Sequence, residues 1–246
     1  MTDIQIHIAR KTYPARERAG HHIAIEGLEL ALKSGEFVCL VGPSGCGKTT
    51  LLNIIADLDN DYEGEILVGR QQAHPKIGYI FQNPRLLPWR TVRENIELVL
   101  DNEQSPDLID PLLEVMQLTA AQHVYPERLS LGMSRRVSII RAFAVDPDVL
   151  LMDEPFVSLD APTARQVREL LLKLWQQRPH TVLFVTHDLR EAIALADRLV
   201  FLSAAPMTVI SEIIVPIPRA ERHDEQAIEA FRQQLINDYP AIKQLL

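Results

Sequence analysis

Hydrophobic positions alternate with polar ones at two places early in the chain: Ile4, Ile6 and Ile8, then Leu28, Leu30 and Leu32. A period of two puts every second side chain on one face, so both segments predict half-buried strands of an antiparallel sheet. The pattern then changes. Phe37-Val38-Cys39-Leu40-Val41, Val149-Leu150-Leu151-Met152 and Thr181-Val182-Leu183-Phe184-Val185 are short unbroken runs, which fit strands covered on both faces. The segment Thr49–Ile55 has helical composition. Another helix is predicted over 163–177, where Leu170, Leu171 and Leu174 share a face and Pro162 suits the first turn. Strands alternating with helices imply a mostly parallel sheet. From Pro84 to about Ala144 no strand pattern is found. Helices are predicted there over 92–100, 107–118 and 131–144, with Ser105 and Pro106 as cap and first turn of the second. After Pro216 and Pro218 one polar helix is predicted over 225–236. The expectation is a single α/β domain over 1–246. Its core comes from 1–83 and 145–215 with an N-terminal antiparallel β subdomain, 84–144 form an all-helical insert, and 216–246 a helical tail.

Composition narrows the partners. The 246 residues are 47% hydrophobic, enough for one sizeable core. With 25 Lys+Arg against 33 Asp+Glu the net charge is −8, which argues against nucleic acid, because phosphate neutralisation needs a concentrated basic face. No apolar stretch approaches the ~18 residues of a membrane span; Ala192 to Ile210 is broken by Asp197 and Arg198. The N-terminus alternates instead of forming a signal peptide's apolar core. Cys39 and Cys46 alone make no disulfide framework, so a reducing cytoplasm is expected. His7, His21 and His22 lack Cys or carboxylates at metal-ligand spacing and read as surface residues.

The chemistry is concentrated in two motifs. Gly42-Pro43-Ser44-Gly45-Cys46-Gly47-Lys48-Thr49 lies between a buried strand and a helix and fills every required position of a phosphate loop. Its glycines let backbone N–H groups wrap a phosphate chain, and the following helix aims its positive end at the same anion. Lys48 can reach the outer phosphates and the Thr49 hydroxyl can ligate Mg²⁺. Met152-Asp153-Glu154 ends the second buried strand. Asp153 is expected to hold Mg²⁺ through a water, and Glu154 to polarise the attacking water as general base.

With these motifs in order, the chain resembles the ATP-binding subunit of an ABC transporter along nearly its whole length. The resemblance implies a P-loop NTPase with a RecA-like core. Gln82, in Ile80-Phe81-Gln82, matches the glutamine that touches Mg²⁺ and the water. Ser158-Leu159-Asp160 matches the D-loop, and His187, in Thr186-His187-Asp188, the histidine that contacts the γ-phosphate. Leu129-Ser130-Leu131-Gly132-Met133 falls where the signature segment belongs, followed by Arg135 and Arg136. Leu131 and Met133 depart from the usual glycine and glutamine, while Ser130 and Gly132 keep the two positions that bind the opposite subunit's γ-phosphate. Gly132 is also the one glycine after Gly78. Tyr13 matches the aromatic that stacks on adenine, and Thr50 follows Thr49 in the nucleotide-binding set.

The resemblance further implies a head-to-tail dimer of two copies enclosing two ATP molecules. It implies integral membrane permease subunits, and indirectly a periplasmic or extracellular solute-binding protein, with this chain peripheral on the cytoplasmic face of the inner membrane. Asn83-Pro84-Arg85-Leu86-Leu87-Pro88-Trp89-Arg90 would form the groove for a helix of the permease. Its wording, with Phe156, is similar to the branch importing nitrate, sulfonates and taurine. A soluble ABC-type ATPase without a transport role and the ATPase of a lipid or export system stay open as alternatives. A P-loop kinase would give no role to Ser130-Leu131-Gly132 or His187.

Overall fold

The computed structural model describes residues 3–14, 22–69, 71–72, 75–100 and 106–243; Ser105 and His21 lie outside them. In chain order the elements are β1 (Ile4–Tyr13), β2 (His22–Leu32), β3 (Phe37–Val41), α1 (Lys48–Ile55), β4 (Glu63–Val68), β5 (Gln71–Gln72) and β6 (Ile77–Ile80). There follow α2 (Val92–Glu97), α3 (Ile109–Val115), α4 (Leu131–Ala144), β7 (Val149–Asp153), α5 (Ala161–Gln177) and β8 (Thr181–Thr186). The chain ends with α6 (Leu189–Leu195), β9 (Arg198–Leu202), β10 (Val209–Ile214), α7 (Glu225–Asp238) and α8 (Pro240–Lys243). These divide into two compact units, Met1–His74 with Thr181–Leu246, and Pro75–His180.

The first unit holds an antiparallel sheet in the order β2-β1-β4-β5. The alternation read from the sequence sets its register: Ile4 pairs with Leu32, Ile6 with Leu30 and Ile8 with Leu28, and all six are buried. A one-residue slip would turn that apolar row to solvent. The same unit holds β8, β3 and β9 side by side and parallel, with β10 antiparallel to β9. Every residue of β3 and β8 is buried, as the unbroken runs predict. Helix α6 lies against β3 and β8, and α7 against α6.

In the second unit β6 runs parallel to β7, Ile77 beside Val149 through Ile80 beside Met152. Helix α4 packs on β6 and on α2, α3 and α5, through buried Val137, Ile139, Ile140 and Phe143. Its bounds are the expected ones, because Ser130 caps it: the hydroxyl accepts from Met133 N–H at 3.2 Å. Two helices are shorter than their patterns. Pro111 has no N–H to give residue 107, so α3 begins at Ile109 behind a 3₁₀ turn. It ends where Gln117 turns left-handed (φ 56°) and Leu118 N–H closes on Leu113 O at 2.8 Å. Helix α2 stops at Glu97; Leu98 N–H still bonds to Glu94 O, and Val99 and Leu100 then tighten into 3₁₀ bonds to Ile96 O and Glu97 O.

Candidate functional site

Three of the predicted site segments lie in the first unit. Parallel pairing sets Val41 of β3 opposite Thr186 of β8, so the phosphate loop and His187 leave neighbouring strands at the same, carboxyl, end. That end of an open α/β sheet is where ligands bind. Gly45 and Gly47 sit in the left-handed region, at φ 77° and 113°, where a side chain is strained. Gly47 is also the N-cap of α1, and no side chain caps its first turn, which leaves backbone N–H donors and the helix's positive end facing the loop. The Lys48 ammonium, only 6% exposed, donates to Gly42 O at 2.8 Å and Pro43 O at 2.9 Å. A charged acceptor such as a phosphate oxygen can take the place of those carbonyls. Cys46 is buried beside Gly42 and completes the turn. Pro43 and Ser44 form its outer part, and Thr49 and Thr50 open the helix.

Tyr13, at the end of β1, reaches that helix: its hydroxyl is 3.3 Å from Thr50 Oγ1 and donates to Asp59 Oδ2 at 3.0 Å. His187 is exposed, and its segment is fixed on both sides. Thr186 Oγ1 donates to Glu191 Oε2 at 2.9 Å and accepts from Asp188 N–H, while Asp188 caps α6.

The second unit gathers the others. Because Ile80 pairs with Met152, Gln82 and the Asp153-Glu154 pair leave β6 and β7 at the same end. Asp153 is buried. Glu154 and Ser158 both have positive φ, 43° and 66°, two strained non-glycine residues within one loop, the kind of strain that collects at working sites. Asp160 caps α5: Oδ1 accepts from Thr163 N–H at 3.0 Å and Oδ2 from Thr163 Oγ1 at 2.8 Å. Those bonds hold its carboxyl below the usual carboxylate range. Thr163 also meets the signature segment, since a Cβ on Gly132 would stand 2.6 Å from Thr163 Cγ2. The bareness of Gly132 thus has a packing cause inside the chain, where its isolation in the sequence had pointed to a ligand.

Arginines on α4 tie these loops together. Arg135, 2% exposed, donates to Phe81 O at 3.1 Å and Val157 O at 3.3 Å, and its Nε finds no partner. Burial alone pulls its guanidinium down from its ordinary value. Arg141 donates to Pro84 O and Arg85 O, both at 2.9 Å. Tyr79 and Phe81 stack at 3.9 Å, with the Arg85 guanidinium 3.9 Å above Phe81. A cavity of about 360 Å³ opens beside them, lined in part by Leu87, Leu98, Val99 and Arg141. Buried Asn95 accepts from Leu87 N–H and donates to Leu87 O, Arg90 O and Thr91 O. It pins the loop that holds Leu86 half-buried and leaves Trp89 68% exposed.

Sequence reasoning missed Lys11, Asp59, Arg141 and Thr163, and took Arg135 only as a follower of the signature. A family model described as "ABC transporter" matches residues 25–157. Curated relatives include the aliphatic sulfonates import ATP-binding proteins SsuB of Bacillus cereus and of Bacillus subtilis. The first is 43% identical over 87% of this chain and 88% of its own, the second 37% identical over 98% and 96%. The nitrate import ATP-binding protein NrtD of Synechococcus elongatus is 40% identical over 89% of this chain and 83% of its own. Among solved structures, a dimeric bacterial ABC transporter cassette superposes with a TM-score of 0.75 at 32% identity, over 87% of this chain and all of its own. A post-hydrolysis state bound to ADP and Pi gives 0.74 at 31%.

Proposed function

This chain belongs to the ABC transporter family as one of its ATPases, and from that premise we propose that it powers import of a small anion, a sulfonate or nitrate, through separate permease subunits. The single observation that supports nucleotide chemistry most is the phosphate cradle: two left-handed glycines, an uncapped helix start and a buried lysine turned into the loop. Tyr13 stacks on adenine. Gly42, Pro43, Ser44, Gly45, Cys46 and Gly47 wrap the phosphates through their backbone, with Lys48, Thr49 and Thr50. The oxygen donors Thr49, Gln82 and Asp153 suit Mg²⁺, which prefers hard ligands and keeps phosphate oxygens and water in its shell. When bound, Mg²⁺ neutralises charge on the phosphates.

Glu154 takes a proton from water, whose oxygen attacks the γ-phosphorus as the bond to the bridging oxygen breaks, giving ADP and phosphate. His187 holds the γ-phosphate. Ser130, Gly132 and Asp160 serve the nucleotide on the partner copy, so two head-to-tail copies enclose two ATP molecules. The cavity beside Leu87 and Arg141 receives the permease, which keeps this chain peripheral on the cytoplasmic face of the inner membrane. An extracytoplasmic solute-binding protein acts through that permease, and nucleic acid has no part.

The test is Glu154→Gln. Hydrolysis falls by about 10²–10⁴, while ATP still binds and drives dimer formation in size-exclusion chromatography. Unreduced turnover sinks the assignment of Glu154. Deleting the gene tests the solute: growth is lost on an alkanesulfonate as sole sulfur source or on nitrate as sole nitrogen source, and normal growth on both sinks the solute class.

A further inference from the structure

A buried lysine with no part in phosphate binding lies in the strand that carries Tyr13. The Lys11 ammonium is 2% exposed. It donates to Asp59 Oδ1 at 2.7 Å and to Asp61 O at 2.6 Å, with Asp61 Oδ2 at 3.6 Å. Taking an ammonium out of water is costly unless it is paired and fully hydrogen-bonded, and here those partners hold it charged. Burial works hardest against the charge, but the Asp59 hydrogen bond together with the nearby charges of Asp59, Tyr13 and Asp61 outweighs it, and Lys11 titrates above its ordinary value. Asp59 is also burdened by burial, and the bonds from Lys11 and Tyr13 hold it below its own.

The pair does more than anchor a strand. Lys11 Nζ lies over the Tyr13 ring, 4.6 Å from its centroid, so one ring face is given to a cation. The second Asp59 oxygen accepts the Tyr13 hydroxyl, and that hydroxyl also contacts Thr50 in the first turn of α1. Ring plane, ring face and distance to the phosphate loop are therefore all set by one hydrogen-bonded chain, Lys11 to Asp59 to Tyr13 to Thr50. A helix that grips phosphates and a ring held at fixed reach from it form a gauge for a nucleoside triphosphate.

We propose that Lys11 and Asp59 are positioning residues for the nucleobase: they hold the Tyr13 ring so that a purine stacks on the face opposite Lys11 while its phosphates sit in the loop. The inference rests on reading Tyr13 as the base contact. It assigns the pair to base binding and not to phosphate binding, and a purely structural role makes no such distinction.

The experiment compares Mg-ATP with inorganic tripolyphosphate, which lacks a base, by titration calorimetry on the full chain. In Asp59→Asn, Lys11→Met and Tyr13→Phe, ATP affinity falls about threefold to tenfold, the scale of one lost hydrogen bond, and tripolyphosphate affinity is unchanged. Tyr13→Ala loses more ATP affinity than any of them. Parallel weakening of both ligands overturns the proposal, because the pair then only supports the fold. Unchanged ATP affinity in Asp59→Asn and Tyr13→Phe, with loss in Tyr13→Ala, also overturns it but leaves the stacking reading standing. No loss in Tyr13→Ala removes both. Should Lys11→Met fail to fold, Tyr13→Phe decides, since it deletes a single hydroxyl.

Discussion

Gly132→Ala separates a glycine kept for packing from one kept for a ligand. Alanine in a helix gains up to ~1 kcal/mol over glycine, less so near the first turn, where Gly132 stands. Against that gain the new methyl meets Thr163 Cγ2 at 2.6 Å, well inside contact distance. Thr163 is β-branched and cannot swing away freely. Rotating it would break the 2.8 Å bond from its Oγ1 to Asp160 Oδ2, and overpacking of this kind costs about 1–3 kcal/mol. The expected net loss is about 1–2 kcal/mol, which for a chain of this size lowers Tm by roughly 2–8 °C. Thr163→Ser deletes the offending carbon and keeps the hydroxyl for Asp160. The double variant therefore recovers at least ~1 kcal/mol relative to the sum of the two single changes. Thermal melts of the four proteins in the cycle supply the numbers. An unchanged Tm in Gly132→Ala, or no recovery in the double variant, refutes the packing argument. ATPase rates of the recovered protein then carry separate information: turnover still depressed at restored Tm assigns the bare backbone to the nucleotide as well.

Arg135→Met removes a buried cation that has no carboxylate partner among the described residues. Stability changes by less than about 1.5 kcal/mol because desolvation of the guanidinium offsets its two carbonyl bonds, while kcat falls as Phe81 and Val157 lose their shared anchor; a drop in Tm with kcat unaltered contradicts this. His180 is buried, with Nδ1 2.9 Å from Pro147 O and its ring edge-on to Phe143, and burial lowers its folded pKa below the usual 6.5. The unfolded chain therefore binds the proton more readily. Stability is full above about pH 6.5 and declines as pH falls from there through the folded pKa, and a His180→Asn melt series flattens that segment. Leu131→Gly with Met133→Gln raises ATPase turnover, by less than about tenfold (~1.4 kcal/mol), with Tm nearly fixed because Leu131 is exposed; identical rates would show the variation to be neutral.

What could be read along the chain and what could not divides on whether the cause is local. The phosphate loop between β3 and α1, the bounds of α4, and the apolar runs of β3, β7 and β8 are determined by neighbours in sequence, and all stand where the pattern put them. Strands β6 and β9 escaped because neither stands out as an unbroken apolar run: Gly78 interrupts β6, and β9 opens on Arg198. Lys11 shows the limit most clearly. Alternation from Ile4, Ile6 and Ile8 sends position 10 inward and position 11 to solvent, yet Arg10 is exposed and Lys11 buried. The register of β1 against β4 shifts between Ile8 and Arg10, and a bulge of one residue exchanges the faces of everything after it. That exchange brings Lys11 to Asp59, 48 residues on, and closes the chain to Tyr13. Arg135 is invisible for another reason: a carbonyl acceptor such as Phe81 O or Val157 O has no residue type, so no sequence pattern announces it. Motifs therefore name the groups proposed to meet the nucleotide. The groups that hold those motifs in place act through backbone and through contacts distant in sequence, and only coordinates reveal them.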